Sequence, residues 1–228
     1  MDKFSASAGR ALIYAVHNFY KMLSWLYLHI FHFYRAYNVE NIPSKGGFVA
    51  ASNHASFLDP PLIGIATFRR IFRYMARDTL FKLPVWGWML EKMGAIPLKR
   101  GVVNRDAWDK VINCLKQGWI VGMFPEGTRT PDGEMKEGRA GVGMMVYKAG
   151  CGVIPVYIHN SYAAWPKGRA LPRVFTPVEV VYGVPMTFAE QFAKPESKEV
   201  YQEITDRIMA EIRKLRDNFA AMKAARGK

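Results

Sequence analysis

Cysteine is scarce in this chain: Cys114 and Cys151 are the only two, set in runs that read as a helix and a strand edge. That excludes a disulfide framework and the paired spacings of a zinc site, and it suits a reducing cytoplasmic setting. Acidic residues are also few, 19 against 32 lysines and arginines, so the net charge is +13. An excess of this size directs attention to anionic partners such as a phospholipid surface, phosphorylated metabolites or nucleic acid, without choosing among them. No G-x-S-x-G occurs, so Ser56 has no support as a hydrolase nucleophile. Gly133 to Ala140 copies the spacing of a phosphate loop but carries Arg139-Ala140 where Lys-Ser/Thr is required, which argues against nucleotide binding there. Internal repeats and low-complexity linkers are absent as well.

Half of the residues are hydrophobic, and 228 of them are enough to bury the core of one ordinary α/β domain. The run from Ala11 to Tyr34 is apolar and aromatic, with Lys21 as its only full charge. At a rise of about 1.5 Å per residue it is long enough to span a bilayer. Its polar residues point elsewhere. Arg10, His17, Asn18, Lys21, Ser24, His29, His32 and Arg35 fall within an arc of roughly 140° on a helical projection, interrupted only by Trp25 and Leu28. A polar stripe opposite Leu12, Ile13, Phe19, Tyr20, Leu23, Tyr27, Ile30, Phe31 and Phe33 suits a helix lying in a membrane interface. The competing reading is an ordinary core-packing helix. The chain therefore divides into an N-terminal segment, residues 1–37, and a domain over residues 38–228.

Beyond Pro43, short β-rich runs alternate with helix-length segments, which predicts an α/β fold with a mostly parallel central sheet flanked by helices. The strand candidates are Phe48 to Ser52, Phe72 to Ala76, Ala95 to Leu98, Trp119 to Phe124, Val153 to Ile158 and Val178 to Tyr182. Helices are expected near Pro60 to Thr67, Pro84 to Met93, Asn104 to Gln117 and Arg139 to Ala149, the last closed by Gly150. A long final helix over about Ser197 to Ala225 carries Tyr201, Ile204, Ile208, Ile212, Leu215, Phe219 and Met222 on one face.

Two loops leave predicted strands at what should be one sheet edge, where binding crevices open in folds of this kind. The first holds His54 and Asp59. A neutral imidazole takes a proton from a hydroxyl near pH 7, and a carboxylate across a tight turn holds its other nitrogen. The alternative is that Asp59 caps a helix starting at Pro60, and both roles are compatible. The second loop runs Glu126-Gly127-Thr128-Arg129: glycine admits close backbone approach, arginine forks onto phosphate, and glutamate accepts from a hydroxyl. An ordinary polar turn with a surface ion pair is the other reading of this loop. Arg77 and Arg100 bracket an apolar helix and are candidates for neutralising a phosphate; the other reading of each is a solvated surface charge, the usual fate of arginine. Arg69, Arg70 and Arg73 read as a patch for lipid head groups or donor phosphates. His29 and His32 lack a further ligand and make no metal site. His159, at a strand end, is a spare base with no acid partner in view.

Taken in order, these blocks resemble the lysophosphatidic acid acyltransferases, that is, the 1-acyl-glycerol-3-phosphate acyltransferase family, from Asn53 to Ile158. His54 to Asp59 looks like the catalytic His-x4-Asp motif. Leu80 to Arg100 looks like the second block, Phe124 to Arg129 like the third, and Val153-Ile154-Pro155-Val156 like the fourth. The resemblance implies that His54 and Asp59 are catalytic, and that Glu126, Gly127, Thr128 and Arg129 bind the acceptor. It implies a phosphate contact at position 77, where the family commonly has lysine and this chain has arginine. It also implies transfer of an acyl group from a thioester, acyl-CoA or acyl carrier protein, with no cofactor and no metal. The expected acceptor is a lysophosphatidate-like lipid. The expected location is peripheral or monotopic on the cytoplasmic face of the cell membrane. Glycerol 3-phosphate, a lyso-ornithine lipid or another lysophospholipid is the alternative acceptor within the same fold. A non-catalytic protein that binds anionic lipid or nucleic acid is a rival of another class. Against the nucleic-acid version, the aromatics concentrate in the N-terminal helix and do not interleave with basic residues on a strand face, so no nucleic-acid partner is expected.

Overall fold

The computed structural model describes residues 3–92, 94–98 and 105–226. A long helix, α1 (Lys3–His32), leads into β1 (Arg35–Tyr37), β2 (Phe48–Ser52), α2 (Asp59–Gly64), β3 (Phe72–Arg77), α3 (Asp78–Phe81) and α4 (Pro84–Lys92). Then follow β4 (Ile96–Leu98), α5 (Arg105–Lys116), β5 (Ile120–Met123), α6 (Gly141–Ala149) and β6 (Gly152–His159). The chain ends with α7 (Ser161–Ala164), β7 (Glu179–Tyr182), α8 (Ala189–Phe192) and α9 (Lys198–Arg226). The seven-stranded sheet has the order β1-β7-β6-β2-β5-β3-β4. All its neighbours are parallel except β6 and β7. The predicted α/β architecture with a mostly parallel sheet is the one observed.

The central strands are near-continuous apolar runs because both of their faces are covered. Val49, Ala51, Val121, Met123 and Val153 point to one side, under α5, α6 and α9, which contribute Val111, Leu115, Met145, Val146, Ile204, Ile208 and Ile212. Ala50, Ile120, Ile154, Val156, Ile158 and Tyr182 point to the other, under Leu28 of α1 and Leu58, Leu62 and Ile63 at α2. Gly150 ends α6 in the left-handed region at φ 59°, as its place after Ala149 predicts. Two buried hydroxyls hold α2 over the sheet: Tyr34 donates to Leu62 O at 2.9 Å and Tyr182 to Ile63 O at 2.8 Å.

Three expectations change. The division at residue 37 falls within the sheet, because β1 pairs with β7 in register from Arg35↔Glu179 to Tyr37↔Val181. The polar arc of α1 faces inward: His17, Lys21 and His32 are buried. Lys21 donates its amine to Thr67 O at 2.9 Å and to Arg70 O, and burial lowers it to about 8. The apolar side is the one left open, with Phe19, Met22, Leu23, Leu26, Ile30 and Phe33 exposed. No helix among the described residues is long and apolar enough to cross a membrane.

The third change concerns the basic patch. Arg70 is buried and donates to Pro43 O, to Gly46 O at 2.6 Å and to Gly118 O at 2.8 Å, tying together turns at the N-terminal edge of the sheet. Arg73 lies 4.5 Å over the Trp119 ring. Only Arg69 of the three is exposed. Arg70→Met should lower unfolding free energy by on the order of 3 kcal/mol in a denaturant titration, because three carbonyls lose a charged donor, while vesicle affinity stays unchanged.

Candidate active site

β2, β5 and β6 run parallel, so their C-terminal ends open on the same edge, β2 in the middle. The chain leaving β2 is caught at once. Asn53 donates its side-chain amide to Ile158 O at 3.0 Å and accepts from Ile158 N at 2.8 Å, continuing by side chain the ladder that its backbone abandons. His54 is then held at both peptide groups by the loop after β5. Its N–H donates to Glu126 Oε1 at 2.8 Å, and its carbonyl accepts from Thr130 N at 2.8 Å.

The ring of His54 stacks on Phe124, centroids 3.9 Å apart and planes 16° from parallel. Its Nδ1 lies 2.8 Å from Asp59 Oδ2. The same oxygen accepts the backbone N–H groups of Ala55 and Ser56, both at 2.7 Å, and Asp59 is wholly buried while the His54 side chain is 18% exposed. An ionised carboxylate with these donors fixes the imidazole tautomer with its proton on Nδ1, which leaves the Nε2 lone pair for chemistry. Asp59 does not cap α2, as the capping reading had it. No side-chain bond closes the helix start, and the carboxylate reaches back to the turn before it.

Glu126 is turned inward. It is 2% exposed, with Oε1 on the His54 N–H and Oε2 accepting from Lys136 N at 3.0 Å. Burial raises its pKa above the ordinary value, and the two N–H donors draw it back. Gly127 takes φ 71°, a left-handed conformation for which glycine is suited, with the Arg139 side chain beside it. Thr128 follows, half-buried. The Arg129 guanidinium lies 3.4 Å over the ring of Phe57, which in turn packs 5.2 Å from Trp165. Arg129 thus stands beside the His54 turn through a residue of that same turn.

Arg77 is exposed at the end of β3, with β5 between it and β2. At about 4.8 Å per strand it lies roughly 10 Å to the side of His54's strand. Arg100 lies outside the described residues. His159 faces Glu179 across the antiparallel pair, but that carboxylate is engaged by Tyr37 at 2.8 Å and Lys223 at 2.9 Å. Asn53, Phe57, Phe124 and Thr130 were not singled out from the sequence for a role. Their adjacency to His54 and Glu126 in the chain is the one signal that marked them. Among the described residues no group of histidines, cysteines and acids is placed to hold a metal.

A mostly parallel sheet that carries a histidine–carboxylate pair at the C-terminal edge of its parallel strands, beside an arginine, has the chemistry to activate a hydroxyl next to an anionic group. A model of the acyltransferase family matches residues 34–159. The 1-acyl-sn-glycerol-3-phosphate acyltransferase of Bacillus subtilis is 30% identical over 186 residues, covering 81% of this chain and 89% of that one. The chloroplastic enzyme of the same name from Arabidopsis thaliana is 32% identical over 157 residues, 67% of this chain and 43% of its own. The chain spans less than half the length of the chloroplastic relatives it matches. The crystal structure of the 1-acyl-sn-glycerophosphate acyltransferase of Thermotoga maritima superposes with a TM-score of 0.67 at 27% identity, over 93% of this chain and 84% of that chain. The chain belongs to the acyltransferase family, in the branch of the 1-acyl-sn-glycerol-3-phosphate acyltransferases.

Proposed function

We propose that the protein transfers a fatty acyl group from an acyl thioester, acyl-CoA or acyl carrier protein, to the sn-2 hydroxyl of 1-acyl-glycerol 3-phosphate, forming phosphatidic acid for phospholipid synthesis. The observation that carries this reading is the His54 Nδ1–Asp59 Oδ2 contact of 2.8 Å, on a ring pinned flat against Phe124. His54 Nε2 removes the acceptor proton as the hydroxyl oxygen attacks the thioester carbonyl. Asp59 stabilises the imidazolium, and the thiolate leaves carrying the electron pair of the broken C–S bond. A good thiol leaving group makes a covalent acyl-enzyme unnecessary. Glu126 acts through His54, holding the turn that presents the ring. An acyl-transfer assay on purified protein tests the reading. Lysophosphatidate should be the preferred acceptor over glycerol 3-phosphate, lyso-ornithine lipid and lysophosphatidylcholine, and no transfer to any of them would overturn it.

Arg129 takes the acceptor's phosphate, its guanidinium steadied on Phe57. Arg129→Ala should raise KM for lysophosphatidate by about tenfold or more and leave KM for the acyl donor nearly unchanged, since one charge-assisted phosphate contact is lost. The reverse pattern would put Arg129 in the donor site. Arg77, farther along the same edge, is a more distant candidate for the same charge.

α1 lies in one leaflet, on the cytoplasmic face, its exposed apolar side in the acyl region. An apolar groove of about 230 Å³, lined by Leu23, Ser24, Tyr27, Leu28, Leu58 and Pro61, lies between that helix and the start of α2 and is open to an acyl chain. Large apolar side chains contribute roughly 1.5–3 kcal/mol each on full burial, against about 1 kcal/mol per basic residue near an anionic surface. High salt should therefore leave the protein on membranes and detergent should release it. Release by salt alone, followed by sedimentation, would show that charge and not α1 holds it there.

A further inference from the structure

The loop that joins α7 to β7, residues 165–177, has no part in the chemistry above, yet its composition is unusual for a solvated loop. Leu171 is 73% exposed, Phe175 63% and Val174 46%. The same loop carries Lys167, Arg169 and Arg173, and no acidic residue occurs anywhere from Gly138 to Val178. None of the ion pairs among the described residues involves these three cations. Exposed apolar side chains interleaved with unopposed basic ones are the pattern of a surface that meets lipid headgroups and the acyl layer just beneath them.

The loop is internally braced. Trp165 Nε1 donates to Arg169 O at 2.9 Å, and Arg173 N donates to Ala164 O at 2.7 Å, closing the loop at its base. Its far end is bonded to α1: Phe175 N donates to Phe31 O at 2.6 Å, Val178 N to His32 O at 2.9 Å, and His32 Nδ1 lies 3.2 Å from Thr176 O. The Phe175 ring lies 6.2 Å from that of Phe31 and 6.3 Å from that of Phe33. Phe33 and Phe175 both hold positive φ, 45° and 59°. A bulky residue there is strained, and such strain persists where the surroundings enforce it and clusters at functional surfaces. The strained backbone leaves both rings half or more exposed, next to the apolar side of α1. At the other end, Trp165 touches Phe57, the platform of Arg129.

We propose that the 165–177 loop is a second membrane-contacting element, in which Leu171, Val174 and Phe175 enter an anionic phospholipid bilayer while Lys167, Arg169 and Arg173 meet its phosphates. This rests on the reading of α1 as a membrane helix, whose open face the loop extends. With α1 it makes a two-point footing that sets the sheet edge carrying Phe57 and Arg129 against the leaflet. A lysolipid then reaches His54 from the membrane plane without crossing water.

Site-directed labelling of the whole 228-residue chain tests this. Cys114 and Cys151 are each only 8% exposed, so a thiol-reactive, polarity-sensitive fluorophore reports an introduced cysteine. Leu171→Cys and Leu26→Cys, the second on the open face of α1, are labelled separately and mixed with vesicles of equal parts phosphatidylglycerol and phosphatidylcholine, with and without brominated acyl chains. Both probes should shift to the blue on vesicles and be quenched by the brominated lipid. Replacing Lys167, Arg169 and Arg173 by Gln should abolish most of the shift at position 171 while leaving that at position 26. Replacing Leu171, Val174 and Phe175 by Ser should weaken vesicle binding by about tenfold or more. Quenching at position 26 with an aqueous spectrum at position 171 would overturn the proposal and leave α1's role intact. Failure of both probes to respond would remove the membrane reading itself. A blue shift at position 171 that grows with protein concentration in the absence of lipid would show a protein–protein contact, and would also overturn it.

Discussion

His54→Ala should reduce turnover with lysophosphatidate by at least about a hundredfold, the scale of a lost general base, while the melting temperature moves little. The His54 side chain is partly exposed, and its backbone bonds to Glu126 and Thr130 do not depend on the ring. Asp59→Asn should be comparably impaired in turnover, for a separate reason. The amide oxygen can replace Oδ2 as acceptor for Ala55 N and Ser56 N, so the turn survives, but the charge that stabilises the imidazolium is gone. The pair of measurements is turnover and thermal unfolding on the same preparations. Near-normal turnover in folded His54→Ala would end the assignment. A large loss of stability in Asp59→Asn with turnover preserved would make Asp59 a structural group only.

Glu126→Gln should lower kcat by about ten- to a hundredfold with KM for both substrates nearly unchanged. Both carboxylate oxygens accept backbone N–H groups, from His54 and Lys136. Glutamine offers one acceptor, so its NH₂ must face one of those donors, and the turn carrying His54 shifts. A displacement of about 1 Å at a catalytic group is enough for a loss of that order. Glu126→Asp keeps the charge but is one methylene too short to bridge both loops, so it should not rescue. A rise in acceptor KM at constant kcat would mean instead that Glu126 touches the acceptor, the role its motif implies.

Much of this was legible beforehand, and the reasons differ from element to element. The strand Phe48–Ser52 is legible to the residue, because a strand covered on both faces reads as a near-continuous apolar run, here Phe48 to Ala51 closed by the buried Ser52. The long C-terminal helix was readable from Ile204, Ile208 and Ile212, all wholly buried, because helical periodicity survives any tertiary context. β1 was missed. Arg35–Tyr37 is too short to show a pattern, and it is a strand because β7 offers it a partner. Arg70 read as a surface cation, since nothing local shows that three carbonyls from distant turns converge on it.

By itself the sequence determined what depends on neighbours a few residues apart: the alternation of strands and helices, the turn that lets Asp59 reach His54, the left-handed stop at Gly150, and the two-sidedness of α1. Only the tertiary structure decided directions. The polar arc of α1 packs inward because Lys21 finds the carbonyls of Thr67 and Arg70, and this leaves the apolar side open. Glu126 turns away from the cleft because two backbone N–H groups, one in the His54 turn and one ten residues along its own loop, compensate its desolvation. A local pattern states which groups a segment carries. Where each one points depends on which distant donors and acceptors the folded chain places within about 3 Å of it.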